Sequence, residues 1–245
     1  MISGLMEKLK IFLFIIVAAY CSVSAYAHTN SEYEFHGFSE EQKYCIFEVY
    51  GEYEEGPALY SDMHIVEVNT SKDVIQPLIV EKEYDKVKPP TIFEIRKENM
   101  GNLIPYIKKY DFDSFYKGTL LFTNPRYGDY IHPKIKPDYE NSTFVMGNET
   151  YAIKLSQQKT DSKDTDYYAQ KEFDLKVITK NKTIMLAENK SMPTAFSYRL
   201  ISAYYAYGKI AVIIEYDAVG FEGADRLQTI VTGVIKTENL DMQYD

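Results

Sequence analysis

Apolar and polar residues alternate with a period of two over most of this chain. Such alternation sends successive side chains to opposite faces of a strand, so it predicts sheets with a buried and a solvated face. Segments of this kind, rich in Tyr, Phe, Ile and Val, are 33–36, 44–52, 64–69, 119–123, 143–146, 151–155, 173–179, 183–188, 196–205, 209–217 and 227–235. The chain is therefore predicted to be mainly β.

Short turns between these segments predict antiparallel pairing. Gly147-Asn148 separates two alternating runs, and Lys180-Asn181-Lys182 separates two others. In the second hairpin, Phe173, Leu175 and Val177 fall on one face, which predicts a half-buried sheet. We expect antiparallel sheets arranged as a sandwich or as part of a propeller.

One segment, 91–110, carries apolar residues at helical rather than alternating spacing. Pro90 precedes it, and Lys108 lies near its end, as is typical of a helix carboxyl terminus. Gly101 and Pro105 predict a kink or a division into two short helices. Three polar or proline-containing stretches are predicted loops: 81–90, 124–141 and 157–170.

The amino terminus has the pattern of an export signal. Lys8 and Lys10 precede the apolar run 11–19, and Ala25-Tyr26-Ala27 offers small residues for cleavage. The signal peptide is predicted to span 1–27, so the mature protein would begin at His28 as a single mainly β domain, 28–245. The apolar run is about half of the ~20 residues that a spanning helix needs, so no membrane span is expected.

The two cysteines have different predicted fates. Cys21 follows the apolar run as a lipid-modified cysteine would, but the bulky Tyr20 precedes it where a lipoprotein signal has a small residue. Once Cys21 leaves with the signal, Cys45 has no partner for a disulfide. Its apolar surroundings predict a buried structural residue rather than a nucleophile.

Charge limits the partners that we expect. The whole chain carries a formal charge of −9, and removal of Glu7, Lys8 and Lys10 with the signal changes this to −10. An acidic protein disfavours nucleic acid and anionic lipid as partners. A protein or another ligand of the cell envelope remains the expected partner.

Two motifs resemble those of a family of bacterial predicted secreted proteins of unknown function. Segment 37–51, GFSEEQKYCIFEVYG, is similar to the family's opening, where G-F-S and a turn precede a strand of the form Y-x-A-F-E-x-Y-G. Segment 220–226, GFEGADR, resembles its closing motif. The resemblance covers most of the mature chain and implies a secreted or periplasmic bacterial protein, but it implies no catalytic residue.

The G-F-S segment also resembles a strand pair of the β-propeller repeats of periplasmic Tol-type proteins. Those repeats usually turn on Asp-Gly, whereas this chain has Glu41-Gln42. Evenly spaced copies of the segment are absent from the sequence, so the resemblance leaves a partial propeller and a sandwich both open.

Candidate catalytic groups are few. The sequence contains no nucleophile elbow, zinc-protease motif, phosphate loop or dinucleotide fingerprint. His36 and His64 lie in strand-like segments and are expected to be ordinary polar residues. His28, as a mature amino terminus, would offer an amine and an imidazole that chelate copper together, provided that a second histidine completed the site.

Carboxylates form the stronger candidate site. Glu48 and Glu52 lie near Gly51, and a second acidic group surrounds Gly220 with Asp217, Glu222 and Asp225. Flexible acidic loops supply the six to eight oxygens that calcium requires, so both groups are candidate ligand or calcium sites. Solvated acidic loops are the alternative, and no other cofactor is expected.

These observations lead to two functional expectations. The first is an exported bacterial binding or interaction module without enzymatic activity. The alternative is a hydrolase of the cell envelope that uses the glycine-flanked carboxylates together with His36 or His64. A deep pocket with strongly perturbed ionisable groups would favour the hydrolase, whereas an exposed groove or a bare sheet edge would favour the binding module.

Overall fold

The structure, a computed structural model, describes residues 31–53, 58–84, 89–126, 138–161, 168–220 and 224–235. Within these ranges the chain forms antiparallel sheets and a single helix, so the predicted mainly β class is confirmed. The predicted signal peptide and His28 lie outside the described residues.

The elements follow one another in chain order. The first strands are β1 (Glu32–Phe38), β2 (Tyr44–Glu52), β3 (Ala58–Glu67), β4 (Lys72–Asp73) and β5 (Leu78–Glu83), followed by the helix α1 (Ile92–Ile107) and by β6 (Thr119–Thr123). The remaining strands are β7 (Asn141–Met146), β8 (Glu149–Lys159), β9 (Lys171–Ile178), β10 (Thr183–Lys190), β11 (Ala195–Ala206), β12 (Lys209–Val219) and β13 (Ala224–Val234).

The strands form three sheets. The N-terminal sheet has the order β1-β2-β3, with β4 and β5 both pairing with β3. The central sheet has the order β13-β12-β11-β6, and the distal sheet has the order β10-β9-β8-β7. Every pairing is antiparallel, as the turns predicted.

The central sheet is buried on both faces. Val212 and Ile214 of β12 pack in the core shared with the distal sheet, whereas Ala211 and Ile213 pack in the core shared with the N-terminal sheet. This explains why β12 is apolar almost throughout instead of alternating. Face-to-face packing of successive sheets is common to sandwiches and to neighbouring propeller blades, so it suits both predicted arrangements.

The helix covers the outer face of the N-terminal sheet. A capping box between Thr91 and Glu94 fixes its start, and Leu103 is fully buried against that sheet. The helix runs unbroken through Gly101 and Pro105, where the sequence predicted a kink or a division. Pro105 lies in the last turn, so its missing amide removes only the hydrogen bond to the Gly101 carbonyl and leaves the preceding turns of the helix intact. Within the described ranges, no helix is long and apolar enough to cross a membrane.

Several local predictions are confirmed. Cys45 is fully buried and unpaired, and burial raises the pKa of its thiol. Gly147 adopts a φ of 58° in the turn between β7 and β8, a conformation that glycine tolerates without strain. Phe173, Leu175 and Val177 are fully buried on one face of β9.

Candidate ligand cleft

The predicted acidic group around Gly220 is divided between two faces of the central sheet. Asp217 lies opposite Arg226 in the β12–β13 register, and Asp225 lies opposite Ala218. Because adjacent residues of a strand point to opposite faces, the side chains of Asp217 and Asp225 point away from each other. Glu222 lies outside the described residues, and calcium binding by this group stays a prediction.

Arginines compensate the charge of Asp217. Arg199 Nη1 lies 3.0 Å from Asp217 Oδ1 and 3.5 Å from Oε1 of the fully buried Glu215. Arg126 Nε donates to Glu215 Oε2 at 3.1 Å, and Arg226 Nε lies 3.7 Å from both carboxylates. Paired charges of this kind are what burial requires, so the cluster is accounted for as a structural contact.

Glu48 is also buried and fully engaged. Ser61 Oγ donates to Glu48 Oε1 at 2.8 Å, Arg96 Nε donates to the same oxygen at 3.1 Å, and His36 Nε2 lies 2.8 Å from Glu48 Oε2. Burial by itself would raise the pKa of Glu48, but these hydrogen bonds outweigh it and lower the pKa. Glu52, at the end of β2, is exposed.

Glu34, His36 and Glu48 bring three potential metal-ligand atoms within 4.8 Å of one another, the one such group in the described part of the chain. Arg96 lies among them, bonding Glu34 and approaching Glu48 Oε2 to 2.8 Å. Burial opposes ionisation of Glu34, but hydrogen bonds from Arg96 and Lys117 lower its pKa to about 2. The guanidinium thus supplies the positive charge that a metal ion would bring, and it fixes α1 to the N-terminal sheet.

A cleft of about 720 Å³ opens along β13, the edge strand of the central sheet. One wall comes from β3 of the N-terminal sheet, and the opposite wall comes from the end of β10 and the segment after it. Its lining residues include Tyr60, Asp62, His64 and Val66 on the first wall, Lys190, Met192, Pro193 and Thr194 on the second, and Asp225, Leu227, Gln228, Thr229 and Ile230 on β13, together with Asp73 and Val219. The volume suits a small molecule or a short peptide.

Asp62 is a carboxyl group of this cleft with a clearly perturbed pKa. Burial raises its pKa to about 6, while His64 lowers it and Glu81 raises it to smaller extents. Its Oδ1 atom is buried without a hydrogen-bond partner. A carboxyl group in this state lacks the stabilising partner that Glu48 and Glu215 each have.

Other polar groups line the same cleft. His64 Nδ1 lies 3.1 Å from Asp73 Oδ1. Burial lowers the pKa of Lys190, and the charge of Asp73 opposes this effect. Gln228 Nε2 donates to the Ser31 carbonyl at 3.0 Å, whereas Gln228 Oε1 is buried without a partner. Two residues that line the cleft, Asp62 and Gln228, therefore each carry a buried oxygen acceptor without a hydrogen-bond partner.

The sequence named only part of this cleft. Asp225, a candidate ligand residue, and His64, which entered through the hydrolase alternative, both line it. Asp62, Lys190 and Gln228 were missed because they lie on three different strands. A local motif had no means of signalling that these strands meet in space.

Comparisons with family models, with curated proteins and with solved structures find no match to this chain. The resemblance to bacterial secreted proteins therefore stays a prediction.

Proposed function

We propose that this chain is a binding protein whose ligand occupies the cleft beside β13. The observation that carries the proposal is that two residues lining a largely apolar cleft, Asp62 and Gln228, each have a buried acceptor, Oδ1 and Oε1, without a hydrogen-bond partner. Leaving a buried polar atom unsatisfied costs about 1–3 kcal/mol. A ligand that donates hydrogen bonds to these oxygens would remove that cost.

The ligand should carry N–H or O–H donors beside an apolar portion. Donors are needed because both unsatisfied atoms are acceptors, and an apolar portion matches walls such as Val66 and Leu227. Amines, guanidines and amides that are attached to an apolar group meet both conditions.

A bulky residue at the mouth of the cleft tests this proposal. Val219 lines the cleft and is 47% exposed, so Val219→Trp should fill the mouth without disturbing the core. Val145 on β7 is 68% exposed and does not line the cleft, so Val145→Trp is the matched control.

Fragments bearing amines, guanidines or amides should shift the amide resonances of Asp62, Lys190 and Gln228 in nuclear magnetic resonance spectra. We expect Val219→Trp to abolish these shifts and Val145→Trp to keep them. A fragment set that leaves the cleft resonances of the wild type unmoved would contradict the proposal.

A hydrolase is the second candidate, and one observation favours it. Asp62, with its pKa raised to about 6, shares the cleft with the His64–Asp73 pair, and groups that titrate near neutrality suit general acid–base chemistry. Chromogenic esters and glycosides should remain intact if the chain only binds. Turnover by the wild type that Asp62→Asn removes would establish the hydrolase instead.

We also propose that the protein is exported by bacterial cells to the periplasm or the medium and acts there. The predicted signal pattern, Lys8 and Lys10 before an apolar run and Ala25-Tyr26-Ala27 after it, supports this location. The mass of the exported chain should correspond to a start within about two residues of His28.

A further inference from the structure

The outer edge of β13 has a definite hydrogen-bonding direction. The Arg226 carbonyl accepts from the Ser31 amide at 3.3 Å, and the Thr232 amide donates to Ser71 Oγ at 2.8 Å. Both groups therefore point away from β12. The register between β12 and β13 is continuous from one end to the other, so every second residue of β13 points its amide and carbonyl outward.

Gln228 and Ile230 lie between these two covered positions and share their orientation. In the part of the chain that the structure describes, the outward amides and carbonyls of Gln228 and Ile230 make no backbone hydrogen bond. Ser31 covers one end of the edge and Ser71 the other, and between them lies an open stretch, defined as the two outward-facing residues Gln228 and Ile230, about 7 Å apart, whose backbone groups have no backbone partner in the described ranges although the residues are only 6% and 5% exposed.

This open stretch faces the cleft. Four consecutive residues, Leu227 to Ile230, line the cavity. Side chains alternate between the faces of a strand, so a cavity on one face would contact only every second residue. Contact with consecutive residues means that the cavity meets the backbone edge itself.

The charge of the cleft adds a side-chain preference. Among its lining residues are three carboxylates, Asp62, Asp73 and Asp225, against the single ammonium group of Lys190. Asp62 Oδ1 is in addition buried without a partner. A lysine or arginine side chain would supply a positive charge to this acidic cleft and hydrogen-bond donors to Asp62.

We propose that the ligand is an extended polypeptide segment bearing a basic residue, which pairs with β13 as an added strand. Its backbone bonds the outward amides and carbonyls of Gln228 and Ile230, and its basic side chain reaches Asp62. This inference rests on the proposed function, because it names the ligand of the same cleft. Strand edges without a backbone partner are usually covered, and strand addition is a recurring mode of peptide recognition.

Short random peptides displayed on phage, selected on the wild-type protein and counter-selected on Val219→Trp, supply the probe. The selected peptides should contain lysine or arginine. A best binder is then synthesised in versions that carry one N-methyl group at successive backbone positions. N-methylation removes a single amide donor and keeps every side chain.

Strand addition predicts an alternating result. Methylation at every second position should weaken binding about tenfold or more, and methylation at the positions between should have little effect, because alternate amides point to opposite edges. Bound peptide should slow hydrogen exchange at the Gln228 and Ile230 amides. Asp62→Asn should weaken binding of the basic peptide. It should not change binding of a version in which a neutral residue replaces the basic one.

The possible failures are distinguishable. If N-methylation had the same effect at every position and Val219→Trp still abolished binding, strand addition would be wrong. The cleft would remain the binding site. Small fragments that bind the cleft when no peptide does would have the same meaning. If the wild-type protein bound neither fragments nor peptides in the cleft, the proposed function would be wrong as well.

Discussion

Asp62 differs in its surroundings from three buried carboxylates, Glu48, Glu215 and Asp217. Glu48, Glu215 and Asp217 each lie beside an arginine, whereas no lysine or arginine in the described ranges forms an ion pair with Asp62. A charge held in such a place reduces stability, and sites of this kind are where function and stability conflict. We therefore expect Asp62 to be retained for ligand binding.

Replacement of Asp62 by asparagine should stabilise the protein at neutral pH. The folded pKa of about 6 lies above the ordinary value of 3.8, so the contribution of Asp62 is fully favourable below pH 3.8 and is lost as the pH rises through 6. Asp62→Asn should accordingly raise the free energy of unfolding by about 1–3 kcal/mol above pH 6. Below about pH 4 the two proteins should be equally stable.

Urea unfolding at several pH values measures this difference. Asp113→Asn is the control, because Asp113 is an exposed aspartate outside the cleft, and its replacement should change stability by less than about 0.5 kcal/mol. An Asp62→Asn protein that is less stable at pH 7 would show that Asp62 has a stabilising partner after all.

At the level of elements, α1 is held to the N-terminal sheet by ion pairs of very different exposure. Arg96 bonds the buried Glu48 and lies 4.0 Å from the centre of the Tyr50 ring, whereas Glu98 pairs with Lys82 at the surface. Removing one partner of a buried pair leaves an uncompensated charge, but exposed pairs contribute little.

Arg96→Met should therefore lower the free energy of unfolding by about 3–5 kcal/mol. Lys82→Met, which removes the exposed pair on the same helix, should cost less than about 1 kcal/mol. The double variant Arg96→Met with Glu48→Gln should recover part of the loss, because it no longer buries an unpaired carboxylate. Chemical unfolding of the three variants measures these free energies. Equal decreases in the free energy of unfolding for Arg96→Met and Lys82→Met would contradict the prediction.

The sequence predicted elements well wherever one face was clearly apolar. β2 and β6 have the predicted bounds, and the helix lies within the predicted segment. The first half of β3 was missed because Ser61 and Asp62 are polar residues that face the interior. β5 extends into a predicted loop because it borders the sheet and its last residues, Glu81 to Glu83, are exposed.

At the level of the whole molecule, the site depends on how the sheets stack. The unsatisfied acceptors come from β3 of the N-terminal sheet and from β13 of the central sheet, and Lys190 comes from the distal sheet. The sequence predicted the strands that carry His64 and Gln228 but had no information on which sheets face each other. The fold class was therefore predictable, and the cleft was not.

The stacking also predicts where stability is concentrated. β12 is hydrogen-bonded to β11 on one side and to β13 on the other, and both of its faces are buried. Opening β12 requires the central sheet to separate from both neighbouring sheets, so its amides should exchange only through global unfolding.

The amides of Val212 and Ile214 should thus have the largest free energies of exchange in the molecule. Those of β10, a partly exposed strand at the border of the distal sheet, should exchange through smaller openings. Native-state hydrogen exchange in increasing denaturant distinguishes the two: the exchange of β12 should accelerate with the full denaturant dependence of unfolding, and that of β10 with a weaker one. Higher protection of β10 than of β12 would mean that the distal sheet, rather than the central one, holds the fold together.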